Sequence, residues 1–180
     1  SKMSAKGAKR PNRTAKKIAA ARLEKGSHGS DTPARSKMSA EGTKFGQRLP
    51  SFALGAKTAT LAEMGAYLRR AEDLGFDCAV SIDHLLLTPP AYSCTWLEPL
   101  ALLSALAGVT RTIKLGTMVL VLPLRNPAYF AKEWATLDLL SGGRSLLGVG
   151  VGWHEQEFAL MGVPDKERGR RMDEMLEGGT

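Results

Sequence analysis

The chain has 180 residues, 43% of them hydrophobic, and a formal net charge of +7. That apolar content suffices for one ordinary domain with a real core, and the charge raises the question of a nucleic-acid or membrane partner. No stretch reaches the roughly 18–20 apolar residues that cross a bilayer, the start lacks the apolar segment of a secretory signal, and Cys78 and Cys94 form no CxxC pair, which argues against a disulfide framework or a zinc site.

The charge is segregated. Residues 1–44 hold 12 Lys and Arg against 3 Asp and Glu, while residues 45–180 hold 13 against 15. Basicity therefore belongs to a tail, and the rest is slightly acidic. Residues 1–43 carry Ile18 and Leu23 as almost their only large apolar side chains, too few to offset chain entropy, so a disordered basic tail is expected. Within it "SKMSAKG" at 1–7 recurs as "SKMSAEG" at 36–42. A period seen twice without matching interiors is not a solenoid; a duplicated leader or an expression scar accounts for it, with Met38 available as a start. The stretch "KRPNRTAKKIAAARLEKG" offers a second reading, a basic helix that folds on nucleic acid or another acidic partner. Reduced thiols and no export signal place the protein in the cytoplasm, and make the sequon at Asn12 a chance match.

From Phe45 onward the pattern becomes strand and helix in turn. "KFGQRLP" reads as a short strand. Thr60 with Glu63 three residues later is a capping box, and Leu61, Met64, Leu68, Ala71 and Leu74 follow at helical spacing up to Gly75. "FDCAVSID" is the second strand. Glu98-Pro99 opens a helix through Leu100, Leu103 and Leu106 to Gly108. "IKLGTMVLVL" is a third strand, apolar enough for burial on both faces. Asn126-Pro127 caps a helix through Phe130, Trp134, Leu137 and Leu140, ended by Gly142-Gly143. "RSLLGVGV" is the fourth strand, and "KERGRRMDEMLEG" begins a fourth helix.

Four alternations with buried strands imply an α/β fold with a parallel sheet. Two architectures fit: an open doubly wound sheet, or part of a (βα)8 barrel. In both, ligands sit at the carboxyl ends of the strands. Those ends are Pro50-Ser51, Asp83-His84, Leu120 to Arg125 and Gly152 to Glu155, with the long connection "LLLTPPAYSCTW" on the same side. Asp83-His84 is a candidate hydrogen-bonding and proton-transfer pair, since His titrates near neutrality; a structural role is the bland alternative. His154 and Glu155 read as solvated or capping residues at a turn. Histidines at 28, 84 and 154 make no metal constellation.

The fourth strand poses its own question. Gly148, Gly150 and Gly152 strip one face bare while Leu147, Val149 and Val151 pack the other. The final glycine of a dinucleotide-binding G-x-G-x-x-G is missing. A cleared face admits either a flat ligand or a close backbone.

Three segments, "AEDLGFDCAVSIDH", "WLEPLALLSALAGVTRTIKLGTMVLVLPLRNPAYFAKEWATLDLLSGGRSLLGVGVGW" and "EFALMGVPDKERGRRMDEMLE", closely resemble the luciferase-like monooxygenase superfamily of flavin- and deazaflavin-dependent oxidoreductases. The likeness covers residues 44 to about 177. Its "DH", "WLEP" and "LSGGR…LGVGxGW" look most like the branch that uses deazaflavin coenzyme F-420, although relatives that use FMN share much of this. The resemblance implies a TIM barrel, an oxidoreductase or monooxygenase activity on a small organic substrate, and a flavin-type ring over the carboxyl ends of the strands. By the same resemblance Asp83, Thr117, Met118, Val119, Gly150, Gly152 and Trp153 bind the cofactor, with a cis peptide at Met118-Val119, and His84 handles substrate protons. It also makes room for a flat ring the preferred account of the bare glycine face.

The chain departs from the family in extent. Members run to about twice the matched length, and four βα units do not close an eight-stranded barrel. The expectation for residues 44–180 is thus a truncated N-terminal half-barrel, lacking the phosphate-binding loops of later strands. Its open edges would favour self-association or a missing C-terminal half. A non-catalytic scaffold whose tail binds acidic partners is the alternative.

Overall fold

The computed structural model describes residues 44–53, 58–87 and 94–178; the expectations about the tail at 1–43 lie outside them. In chain order the elements are β1 (Gly46–Arg48), β2 (Phe52–Ala53), α1 (Leu61–Asp73), β3 (Cys78–Ser81), β4 (Thr95–Trp96), α2 (Pro99–Ala107), β5 (Lys114–Thr117), β6 (Leu120–Val121), α3 (Pro127–Leu140), β7 (Ser145–Leu146), β8 (Val149–Gly150), α4 (Glu155–Leu160) and α5 (Arg168–Gly178).

Local chemistry starts each long helix. The Thr60 hydroxyl accepts from the Glu63 N–H while the Glu63 carboxylate accepts from the Thr60 N–H at 2.7 Å, a complete capping box for α1. Glu98 caps α2 by accepting from the Ala101 N–H at 2.7 Å, with Pro99 in the first turn. Asn126 caps α3 by accepting from the N–H groups of Ala128 and Tyr129.

β1, β3, β5 and β7 form one parallel sheet in the order in which they occur along the chain. A doubly wound sheet reverses direction at a switch point; this one does not, and walks one way as a barrel does. The protein is therefore α/β, four βα units of a TIM-type half-barrel. The third and fourth strands are each interrupted and then resume side by side. Leu115 and Gly116 pair with Ser145 and Leu146, and beyond the gap Leu120 and Val121 of β6 pair with Val149 and Gly150 of β8. β2 and β4 add a small antiparallel pair that sequence periodicity did not announce.

The core lies between the sheet and its helices, around Leu49, Leu68, Leu103, Leu106, Ile113 and Leu115. Of the α1 stripe, Met64, Leu68 and Ala71 are buried, but Leu61 and Leu74 are exposed. On α3, Leu137 is buried and Leu140 is not; Leu139 beside it is 79% exposed. On the fourth strand Val149 packs on the core, whereas Leu147 and Val151 are exposed. Leu139, Leu140, Leu147 and Val151 lie toward β7, which has no further strand beside it among the described residues.

Polar clamps fix the opposite, amino-terminal end of the strands. One Glu72 oxygen accepts from the N–H groups of Arg111, Thr112 and Ile113 at 2.6–2.9 Å, tying α1 to the turn before β5. The Arg144 guanidinium donates to the carbonyls of Ala107 and Ile113, tying the start of β7 to the end of α2.

Strand spacing gives a test. A Cβ at Gly116 would stand 2.3 Å from the Leu146 carbonyl oxygen, whereas one at Gly169 on α5 meets nothing within 4 Å. Gly116→Ala should lower stability by about 1–3 kcal/mol through overpacking. Gly169→Ala should leave it unchanged or raise it by up to ~1 kcal/mol. Urea unfolding monitored by tryptophan fluorescence checks both.

Candidate active site

The carboxyl ends of β3, β6 and β8 bring four chain segments together. Asp83, just past β3, is 5% exposed and fully engaged. One oxygen accepts from the Val121 N–H and the other from the Arg125 guanidinium, each at 3.0 Å. Arg125 reaches on to the Glu98 carboxylate at 2.7 Å. Burial pushes the Asp83 carboxyl above the usual aspartate range, against the pull of Arg125 and the Val121 N–H. Burial works against the Arg125 charge as well, but Asp83 and Glu98 outweigh it and hold the guanidinium above its ordinary value. A close pair normally lowers the acid as it raises the base. Here the acid is the more deeply buried partner, and desolvation wins at its end.

His84 lies next to Asp83 but faces a different partner. Its Nδ1 is 3.1 Å from Oε1 of Glu157, on α4. That oxygen also accepts from the N–H groups of Leu85 and Leu86, at 2.8 and 3.1 Å. Glu157 is 1% exposed. The His84 ring sits 6.0 Å from the Trp96 ring and 5.7 Å, edge-on, from that of Trp153. Trp153, 55% exposed, also leans on His154 at 5.3 Å. His154 holds the N-cap position of α4, one of the roles expected of it, though its side chain makes no capping hydrogen bond. Its side chain is 16% exposed, its Nδ1 has no hydrogen-bond partner among the described residues, and that atom stands 3.9 Å from Glu157 Oε1. Glu155 does face solvent.

The peptide bond between Met118 and Val119 is cis, as the resemblance implies. Both side chains are presented outward, Met118 at 66% exposure and Val119 at 40%. Thr117 differs. It is buried, and its hydroxyl donates to the Gly148 carbonyl at 2.8 Å and accepts from the Gly148 N–H, so its side chain serves strand pairing.

The bare glycine face also reads differently in three dimensions. A Cβ on Gly148 would lie 2.3 Å from the Thr117 carbonyl oxygen, one on Gly150 2.6 Å from Val119 Cγ2, and one on Gly152 2.6 Å from Val121 Cγ1. The neighbouring strand fills the space. At Gly148 it is the neighbouring backbone that comes close, and at Gly150 and Gly152 the side chains of Val119 and Val121.

What a flat aromatic group would find is the outward-facing apolar surface of Met118, Val119 and Trp153, with His84 behind it. Those side chains fit a flavin-type ring. A cavity of about 380 Å3 opens beside His84, lined by Leu85, Leu86, Leu87, Thr95, Trp96 and Gln156, all uncharged. Residues 88–93 of the long connection lie outside the described residues. Two members of the site escaped sequence reasoning: Trp96 and Glu157. For Glu157 the available signal was its spacing of three from His154 next to Phe158, an acid placed where a short helix buries one side.

A family model described as luciferase-like monooxygenase matches residues 43–178. The F420-dependent glucose-6-phosphate dehydrogenase of Amycolatopsis mediterranei is 39% identical over 116 residues, which are 62% of this chain and 34% of that protein. Among solved structures, the coenzyme F420 dependent tetrahydromethanopterin reductase of Methanopyrus kandleri is 30% identical at a TM-score of 0.51, covering 67% of this chain and 30% of that one. The oxygenating constituent of 3,6-diketocamphane monooxygenase of Pseudomonas putida, in complex with FMN, shares the fold at 22% identity and a TM-score of 0.61, covering 76% of this chain and 38% of that one. The chain thus spans about a third of the length of each.

The Asp83 environment gives a signed pH prediction. Since its folded pKa is raised, its contribution to stability is full below the unfolded aspartate value of about 3.9 and is lost as pH rises through the folded value. Asp83→Asn removes that titration. Urea midpoints of parent and variant, measured from pH 3.5 upward in steps, should therefore shift relatively in the variant's favour as pH rises; a constant difference would contradict the raised pKa.

Proposed function

Since the chain belongs to the luciferase-like monooxygenase family, we propose that it forms the ring-binding wall of a flavin- or deazaflavin-dependent oxidoreductase, with coenzyme F-420 favoured over FMN. One observation carries the reading: outward-facing apolar Met118, Val119 and Trp153 follow the carboxyl ends of neighbouring strands, with Trp153 edge-on to the half-buried His84. Support for F-420 comes from the "DH", "WLEP" and "LGVGVGW" motifs and from the 39% identical F420-dependent relative. Members of this fold include FMN enzymes too, which makes FMN the competing cofactor.

In this reading each residue has a limited task. Met118 and Val119 support one face of the ring, and Trp153 borders it. His84 exchanges a proton with the substrate, its ring held between Trp96 and Trp153. Asp83, by binding the Val121 N–H and Arg125, fixes the strand that carries the apolar wall. Gly150 and Gly152 act by letting Val119 and Val121 come close. The uncharged lining of the neighbouring cavity suits a neutral organic substrate. The bound deazaflavin supplies hydride chemistry at its central ring carbon, which no side chain offers.

The whole enzyme's cleft needs more than these four units. An eight-stranded barrel closes with four further strands, contributed by a C-terminal half or by a second copy of the chain pairing along the edges at β1 and β7.

Fluorescence titration with F-420 and with FMN tests the reading. Saturable binding is expected, tighter for F-420, and Trp153→Ala should weaken it about tenfold, or ~1.4 kcal/mol. Absence of binding by either compound, at concentrations far above micromolar, would reduce the family relationship to ancestry for this chain. Size-exclusion chromatography reads the edges: assemblies larger than a monomer are expected.

A further inference from the structure

Glu157 is buried in the fold with its charge directed at a single spot. The short helix α4, on the fourth-strand side, presents this carboxylate to the turn that follows β3, more than 70 residues earlier in the chain. Three groups meet at one oxygen: the His84 Nδ1 atom and the N–H donors of Leu85 and Leu86. The two backbone donors are rigid, so they fix where the oxygen stands, and the third contact then fixes the ring. A buried carboxylate is retained only where its charge is compensated, and here a histidine is part of that compensation.

We propose that Glu157 is a positioning residue for His84, setting both the orientation of its ring and the nitrogen that carries its proton. A carboxylate oxygen that already accepts two N–H groups is an acceptor. The ring must therefore donate to it, and the neutral imidazole is held as the Nδ1–H tautomer, with Nε2 left as the basic atom. A second shell of this kind, carboxylate to imidazole, fixes tautomers wherever a histidine has to present one chosen nitrogen. The aromatic rings complete the restraint: Trp96 tilts toward one side of His84 and Trp153 meets it edge-on. His154 stands 3.9 Å from the same oxygen, beyond hydrogen-bond reach, so it does not displace His84. The inference rests on the proton-handling role given to His84 above, but its structural content does not need a cofactor.

The test uses the full chain labelled with 15N and free of cofactor. Long-range 1H–15N correlation spectra report the tautomer of each histidine ring, and the His84→Gln variant identifies the signals of that ring by their loss. In the parent, the neutral His84 ring should be protonated on Nδ1. In Glu157→Ala it should lose that form as its major species. In Glu157→Gln, whose amide oxygen still accepts from the ring and the two backbone N–H groups, it should keep it. Far-UV circular dichroism on each variant shows whether the fold holds. A parent ring protonated on Nε2 overturns the proposal even where Glu157→Ala does not fold, as does a folded Glu157→Ala with the parent tautomer. The cofactor titration is independent: binding without the Nδ1–H form sinks this inference alone, and the Nδ1–H form without binding sinks only the oxidoreductase reading.

Discussion

Gly148 lies so close to the Thr117 carbonyl oxygen that any Cβ there would stand 2.3 Å from it. This contact sets the spacing of the third and fourth strands at the point where both are interrupted, and much else follows from it. Thr117 can reach across and bond both the carbonyl and the N–H of Gly148. Leu120 donates to the Gly148 carbonyl at 2.8 Å, which starts the second stretch of pairing between β6 and β8. Between those anchors Met118 and Val119 have no register partner on the fourth strand, Met118 donating instead to the Ser81 carbonyl of β3 at 2.8 Å, and their side chains turn outward. The apolar wall of the site is thus a by-product of a strand junction built without side chains.

Three carboxylates do comparable work at different places. Glu72, Asp83 and Glu157 each accept backbone N–H from a segment distant in sequence, and each joins two different parts of the βα repeat. Their surroundings separate them. Glu72 meets three amides on one oxygen at the amino-terminal end of the sheet, and those bonds outweigh partial burial and keep its pKa below the usual range. Asp83 is more deeply buried, and desolvation prevails even beside a guanidinium. Glu157 alone adds a titratable ring to its amides. Backbone capture is the structural use common to all three, and only at the carboxyl end of the strands does it acquire a chemical partner.

What was legible in the sequence was local. The caps at Thr60, Glu98 and Asn126 were readable because a cap and its donors lie within three residues of each other. The four-unit alternation was readable because strand and helix differ in period. The convergence of Asp83-His84 with Val121, Arg125 and Trp153 followed from topology, since parallel strands put their carboxyl ends together. Exposure was less accessible. Leu74, Leu140 and Val151 sit at good apolar positions, but what covers them depends on neighbours that periodicity does not name. The same limit hid Glu157, whose partners lie 71–73 residues away. Glycine spacing revealed an emptied face and left open what occupied it, because a ligand and a neighbouring strand demand the same absent side chain.

Glu98 holds two positions at once. One of its oxygens caps the first turn of α2 and the other binds Arg125, which in turn grips Asp83 beside His84. The start of that helix and the tip of β3 are therefore links of one mechanical linkage, three side chains long. A shift of α2 is transmitted to the neighbour of His84 without any backbone hinge. For an evolving lineage this removes a freedom: residue 98 cannot drift toward the other good capping residues, Ser or Asn, without slackening the site, because neither brings a second charged oxygen to Arg125.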